Sequence, residues 1–175
     1  MRLPDWHEEP ISKSHDRKSF DCGDADLNGF FQKHARQNHE NGSAKTFCAI
    51  DDANPAQVLG FYSLAPSSLA YDRLPDALRK GQPRHAAGGF LLARLATDKD
   101  LQGRGLGGQL LLAAGKRCLR VADESGGIMM VIDAKNARAA EWYEGYGALR
   151  LEDTPLTLVL SLKTVRAILD EVGKL

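Results

Sequence analysis

The sequence predicts an α/β domain on a mixed sheet, and three observations predict it. An aromatic and β-branched hairpin occupies the first half. An apolar run, a long amphipathic helix and a second apolar run succeed one another in the second half. A glycine-rich turn, Gln102-Gly-Arg-Gly-Leu-Gly107, joins the first of those runs to the helix. A short turn joins antiparallel strands, whereas strand, crossover helix and strand form a right-handed parallel βαβ unit, so a sheet holding both is mixed.

Each element has its own signal. Residues 24–39 carry Ala25, Leu27, Phe30, Phe31 and Ala35 behind the acidic pair Asp24 and Asp26, the pattern of an amphipathic helix. Residues 44–50 and 57–69 favour strands, and the turn cluster at 51–56 joins them as a hairpin. Residues 71–87, with Pro75, Gly81 and Pro83 among charges, read as a loop with one short helix at 75–80. Next come a buried strand at 89–97, a helix at 105–124, a buried strand at 128–133 and a helix at 137–146 closed by Gly147. An alternating strand at 154–162 and a helix at 163–172 complete the chain.

Composition limits what such a domain does. With 175 residues and 43% hydrophobic content, the chain suits one domain, 1–175, whose core needs neither disulfide nor metal. Cys22, Cys48 and Cys118 are odd in number and widely spaced, as expected of a reducing cytoplasm, and packing outweighs nucleophilic catalysis for Cys48 and Cys118. The five histidines are scattered, and His34 and His39 are too far apart in phase to share a helical face, so no metal is expected. Lys plus Arg and Asp plus Glu balance at 23 each, which removes any whole-molecule attraction to nucleic acid or membrane. An anionic partner must meet a local patch. With a charged, proline-broken start no signal peptide is expected, and no apolar stretch approaches the ~20 residues of a membrane span.

The glycine turn carries the chemistry. A helix start offers unpaired backbone N–H groups and the positive end of the helix dipole, and glycines let an anion approach them closely; the expected guest is a pyrophosphate. The segment also satisfies G-x-G-x-x-G through Gly103, Gly105 and Gly108, with Asp133 ending the next strand. In a dinucleotide fold, however, the first glycine follows its strand almost at once, and here residues 98–102 intervene. Too little chain follows Asp133 for the remaining strands of a doubly wound sheet.

The six-residue turn matches Q/R-x-x-G-x-G/A, and the chain resembles the GNAT N-acetyltransferase superfamily, whose F-Y-x-x-x-G-F segment is echoed by Trp142-Tyr143-Glu-Gly-Tyr-Gly147. Ala148 stands where that family usually has Phe. More narrowly the chain resembles the GNAT toxins of bacterial toxin–antitoxin pairs, through residues 20–23, 27–31, 44–47, 60–65, 92–96 and 156–160. The resemblance implies a GNAT fold, acetyl-coenzyme A as donor and the α-amine of an aminoacyl-tRNA as acceptor. It also implies a homodimer and a ribbon-helix-helix antitoxin.

On that resemblance the donor site comprises the Leu95, Ala96 and Thr97 strand edge and the turn residues Gln102, Gly103, Arg104, Gly105, Leu106, Gly107 and Gly108. Asn136 either bonds the pantetheine or caps the helix that begins at Ala137, and both roles are compatible. Tyr143 matches the catalytic tyrosine, placed to protonate or hydrogen-bond the departing sulfur, with Tyr146 second. No general base stands out, and Asp98, Asp133 and Glu141 read as turn, cap or surface acids. Arg94, a charge in mid-strand, is the preferred substrate-side cation, ahead of Arg36 and Lys45. Two other readings are carried: a housekeeping acetyltransferase of small amines or protein N-termini, and a non-catalytic module that binds antitoxin and DNA as a corepressor.

Overall fold

The computed structural model describes residues 2–173. Its strands are β1 Trp6–Pro10, β2 Lys45–Asp51, β3 Val58–Ala70, β4 Ala86–Thr97, β5 Met129–Asp133, β6 Leu149–Arg150 and β7 Thr157–Ser161. Its helices are α1 Ala25–Lys33, α2 Ala35–Asn41, α3 Asp76–Arg79, α4 Leu106–Ser125, α5 Ala137–Glu144 and α6 Leu162–Glu171. The strands form one sheet in the order β1-β2-β3-β4-β5-β7-β6. β1 with β2, β2 with β3, β5 with β7 and β6 with β7 are antiparallel, and β4 with β5 is parallel. The expected mixed sheet with a parallel β4–α4–β5 unit is present.

The chain divides into two compact units. The first holds the residues up to Ala65 together with Ala93–Ala113. Its core gathers Phe20, Phe31 and Phe61 with Ile50, Cys48 and Ala96, and the Phe31 and Phe61 rings stack at 4.4 Å. Gly60 is required here: a Cβ would stand 2.8 Å from Leu110 Cδ1 and 2.9 Å from the Ala96 carbonyl oxygen, so only glycine lets the start of α4 lie against β3. The second unit, Pro66–Leu92 and Ala114 onward, packs Leu69, Leu74, Met129, Val131, Leu151 and Val159. Gly89 plays the equivalent part there, because a Cβ would meet the Met129 carbonyl oxygen at 2.6 Å.

Two sequence expectations are revised and two strands are added. The single helix at 24–39 is two, since His34 leaves helical geometry at φ −123° between α1 and α2. The apolar spacing gives no sign of this, because Phe31 and Ala35, both fully buried, lie four residues apart across the break. The helix at 137–146 ends at Glu144, which leaves Tyr146 beyond it. β1 and the two-residue β6 were not anticipated, being short and polar. β1 pairs along its whole length, from Trp6 opposite Asp51 to Pro10 opposite Phe47.

Candidate functional site

The glycine turn is braced before it is open. Beyond β4, the Asp98 N–H donates to the Leu59 carbonyl at 2.8 Å and the Lys99 N–H to the Asp21 carbonyl at 2.9 Å. Asp21 also receives Asn28 Nδ2, the Gly23 N–H and the Lys99 ammonium, and these hold its carboxyl at about 2. The Gln102 side chain is spent on the scaffold, its Nε2 donating to the carbonyls of Cys22 at 2.8 Å and Thr97 at 3.2 Å.

After this brace the chain passes through Gly103 at φ +80° and Gly105 at φ +91° and enters α4 at Leu106. Left-handed values favour glycine at both positions. A Cβ built on either would meet nothing within 4 Å, so the outer face of the turn is free for a ligand. The first N–H groups of α4, including those of Leu106, Gly107 and Gly108, have no acceptor inside the helix. Leu106 is buried and fixes the helix start. Arg104 and Gly103 also border a concavity of about 930 Å³ lined by Arg2, Trp6, Asp52 and Gln109. Converging N–H donors, a helix start and open glycines fit a pyrophosphate.

β4 supplies the adjoining edge. Its parallel rungs to β5 run from Phe90 to Leu92, opposite Met130 to Ile132, and β4 continues past them to Thr97. Leu95, Ala96 and Thr97 therefore lie beyond the rungs with β5, although the Thr97 carbonyl already accepts from Gln102. Arg94 is exposed rather than buried in mid-strand: its guanidinium lies 4.8 Å from the Phe30 ring centroid and donates to the Ala93 carbonyl at 2.9 Å. Arg36 pairs with Glu40 at 3.2 Å, one helical turn away. Lys45 Nζ donates to the His39 carbonyl at 2.9 Å, closing the last turn of α2.

In the second unit, α5 carries the tyrosine. Asn136 Oδ1 accepts from the Ala139 N–H at 2.8 Å, so the capping role anticipated for it is filled. Tyr143 is 7% exposed, with Trp142 edge-on to its ring at 5.0 Å. Burial pushes its hydroxyl up to about 12, and that hydroxyl has no hydrogen-bond partner among the described residues. A protonated donor without a partner is suited to meet an acceptor atom of a ligand. Tyr146, half-buried, packs edge-on to Trp142 from outside the helix.

The cysteines take no part. All three are free and buried, and burial raises the thiols of Cys48 and Cys118, the latter to about 12, so neither forms a thiolate nucleophile readily. Among the described residues no cluster suited to a metal is found, and no helix is long and apolar enough to cross a membrane. Trp6 and Asp52, at the concavity beside the turn, were missed with β1. The available signal was the continuous apolar run Phe47-Cys-Ala-Ile50, which reads as an inner rather than an edge strand.

A mixed α/β fold whose parallel βαβ crossover opens on a braced glycine turn has the form of a phosphate-binding protein. Residues 42–147 match the acetyltransferase (GNAT) domain, and the chain belongs to that family. It is 34% identical over 161 residues to the tRNA-acetylating toxin of Mycobacterium tuberculosis, covering 92% of this chain and 95% of the relative. It is 27% identical over 170 residues to a probable toxin TacT of Sinorhizobium fredii, covering 92% and 93%. Among solved structures, AtaT complexed with acetyl-methionyl-tRNAfMet aligns with a TM-score of 0.87 at 26% identity, covering 94% of this chain and 99% of that one. AtaTR bound with AcCoA aligns with a TM-score of 0.81 at 27% identity, covering 94% and 98%.

Proposed function

We propose that this chain transfers acetyl from acetyl-coenzyme A to the α-amino group of an aminoacyl-tRNA, acting as a translation-blocking toxin held in check by an antitoxin. The observation that carries this reading is the relation, over nearly the whole of both chains, to the tRNA-acetylating toxin. The resemblance to AtaT structures with acetylated tRNA and with AcCoA supports it. We further read residues 1–175 as one cytoplasmic domain that forms a homodimer and takes a ribbon-helix-helix partner; the sharing of β3, β4 and α4 between the two units supports a single domain.

The bound donor supplies an activated acetyl thioester. The backbone N–H groups around Gly103, Gly105, Leu106, Gly107 and Gly108 hold its pyrophosphate, with Arg104 adding charge, and Gln102 holds the turn in place. The Leu95–Ala96–Thr97 edge offers backbone partners to the pantetheine amides, and one N–H there polarises the thioester carbonyl. Asn136 keeps its cap and presents its amide nitrogen to the same arm. Tyr143 donates from its hydroxyl to the departing sulfur.

The form of that donation follows from acidity. A hydroxyl near 12 is a weaker acid than an ordinary thiol near ~8.5 by a margin worth about 5 kcal/mol. Tyr143 would therefore stay protonated and hold the leaving thiolate by a hydrogen bond, while the proton of the attacking amine passes to water. On the acceptor side Arg94 is the leading cation, and Arg36 and Lys45, each holding a local partner, are weaker candidates.

Zero net charge favours one competing reading, a housekeeping enzyme for small amines. The test is labelled acetyl transfer to charged tRNA, peptides and polyamines side by side. Label on charged tRNA alone supports the toxin. Brisk labelling of polyamines or peptides with none on tRNA contradicts it.

A further inference from the structure

A second cavity, of about 400 Å³, lies wholly within the second unit. Its cations are Lys80, just after α3, and Lys163 and Arg166 on the first turns of α6, against one carboxylate, Asp123. Leu78, Leu119 and Ile128 are among its apolar lining residues. Ser161, which caps α6, sits opposite Met129 at the start of β5, whereas α5 and Tyr143 follow the far end, where Asp133 opposes Thr157. Four strand rises, about 13 Å, separate the two ends. The cavity is thus at the other end of β5 from the helix that carries Tyr143.

Three cations against one carboxylate make this cavity locally basic in a chain whose formal charge is zero. The charged ends of Lys80, Lys163 and Arg166 make no ion pair or hydrogen bond among the described residues. None of the three is paired with Asp123, the carboxylate that shares the cavity with them. One phosphate presents several acceptor oxygens from a single centre, which suits cations arriving from two separate segments. The volume exceeds what a bare phosphate fills and falls within the range of small-ligand sites, and the leucine and isoleucine side chains offer an apolar surface to a base.

We infer that this cavity binds a nucleotide phosphate, with Lys80, Lys163 and Arg166 on the phosphate and the apolar residues against the base. The source is a nucleotide of an RNA chain or a free nucleotide. Either would be a second binding site, independent of the donor turn.

Binding of a fluorescein-labelled single-stranded RNA decamer, measured by anisotropy from about 50 to 200 mM salt, tests this. The substitutions Lys163→Gln and Arg166→Gln together should weaken binding at least several-fold and reduce the log–log salt slope by ~1.4, at ~0.7 per lost contact. Lys116→Gln, an exposed cation of α4 outside the cavity, should change neither. Should the double variant fail to fold, Lys80→Gln alone should lower the slope by ~0.7. Displacement of the decamer by AMP identifies free nucleotide as a source, and displacement only by unlabelled RNA identifies the polymer; both support the site. An unchanged slope in the cavity variants overturns the inference, as does displacement by a glutamate decapeptide but not by AMP or RNA. The acetyl-coenzyme A melting shift is read on the same variants and should be unchanged. Loss of donor binding in the unsubstituted protein would count against the proposed function alone.

Discussion

Gln102 and Cys22, eighty residues apart, are joined by a side-chain amide that donates to a backbone carbonyl at 2.8 Å. The first residue of the glycine signature thus works as a strut, fixing the turn against the segment that leads into α1. Gln102→Ala removes this bond and the one to Thr97, each worth about 0.5–1.5 kcal/mol. A lower melting temperature and a several-fold weaker acetyl-coenzyme A affinity are expected. Full retention of affinity by calorimetry would contradict the strut.

The turn itself is tested by bulk and charge. Acetyl-coenzyme A should raise the melting temperature of the unsubstituted protein by mass action, and Gly105→Asp and Gly107→Asp should abolish that rise. Gly105 sits at φ +91°, so its substitution also strains the backbone; Gly107 lies inside α4, free of positive φ. Loss of the rise in the Gly107 variant therefore reports on the anion site. An undiminished rise in both variants would remove the donor assignment.

Adjacent glycines give a contrast in packing. Gly89→Ala drives a methyl to 2.6 Å from the Met129 carbonyl oxygen, whereas a Cβ at Gly88 meets nothing within 4 Å. The first should cost about 1–3 kcal/mol and the second fall within about 0.5 kcal/mol of neutral. Urea denaturation of the two variants checks the difference, and equal midpoints would contradict the close approach of β4 to β5.

The edge strand should respond to pH. His7 bonds Asp52 through Nδ1 and Glu9 through Nε2, and these carboxylates raise its pKa above 6.5. A raised histidine stabilises the fold fully below its unfolded value and stops doing so as pH rises through the raised one. Glu9, lowered chiefly by His15 and then by His7, contributes above about 4.5 and ceases to as pH falls through its lowered value. β1 is held best between these limits. Melting temperature followed from about pH 5.5 to 8.5 should decline more steeply in the unsubstituted protein than in His7→Gln. Parallel curves would contradict the assignment.

Long, periodic elements are legible in the sequence. The β4–α4–β5 unit follows from two apolar runs flanking a helix whose buried stripe includes Leu106, Leu110, Ala114 and Cys118. Short features are not. β1 is five residues whose pairing depends on β2, and the turn of the chain at His34 leaves the apolar rhythm undisturbed. The donor turn was readable because glycine and helix starts carry their own chemistry. That Gln102 serves as a brace and that Arg94 lies over Phe30 depends on contacts between distant residues, which spacing does not encode; the Arg36–Glu40 pair, one helical turn apart, was open to the sequence.

Turnover of charged tRNA by Tyr143→Phe tests the central claim most directly. The Tyr143 hydroxyl has no partner among the described residues and stays protonated, so its bond to sulfur is made chiefly in the transition state. Tyr143→Phe should lower kcat by about 10²–10⁴-fold while leaving acetyl-coenzyme A affinity near that of the unsubstituted protein, with Tyr146→Phe far milder. Unimpaired turnover in Tyr143→Phe, or the large loss appearing in Tyr146→Phe instead, would contradict the account.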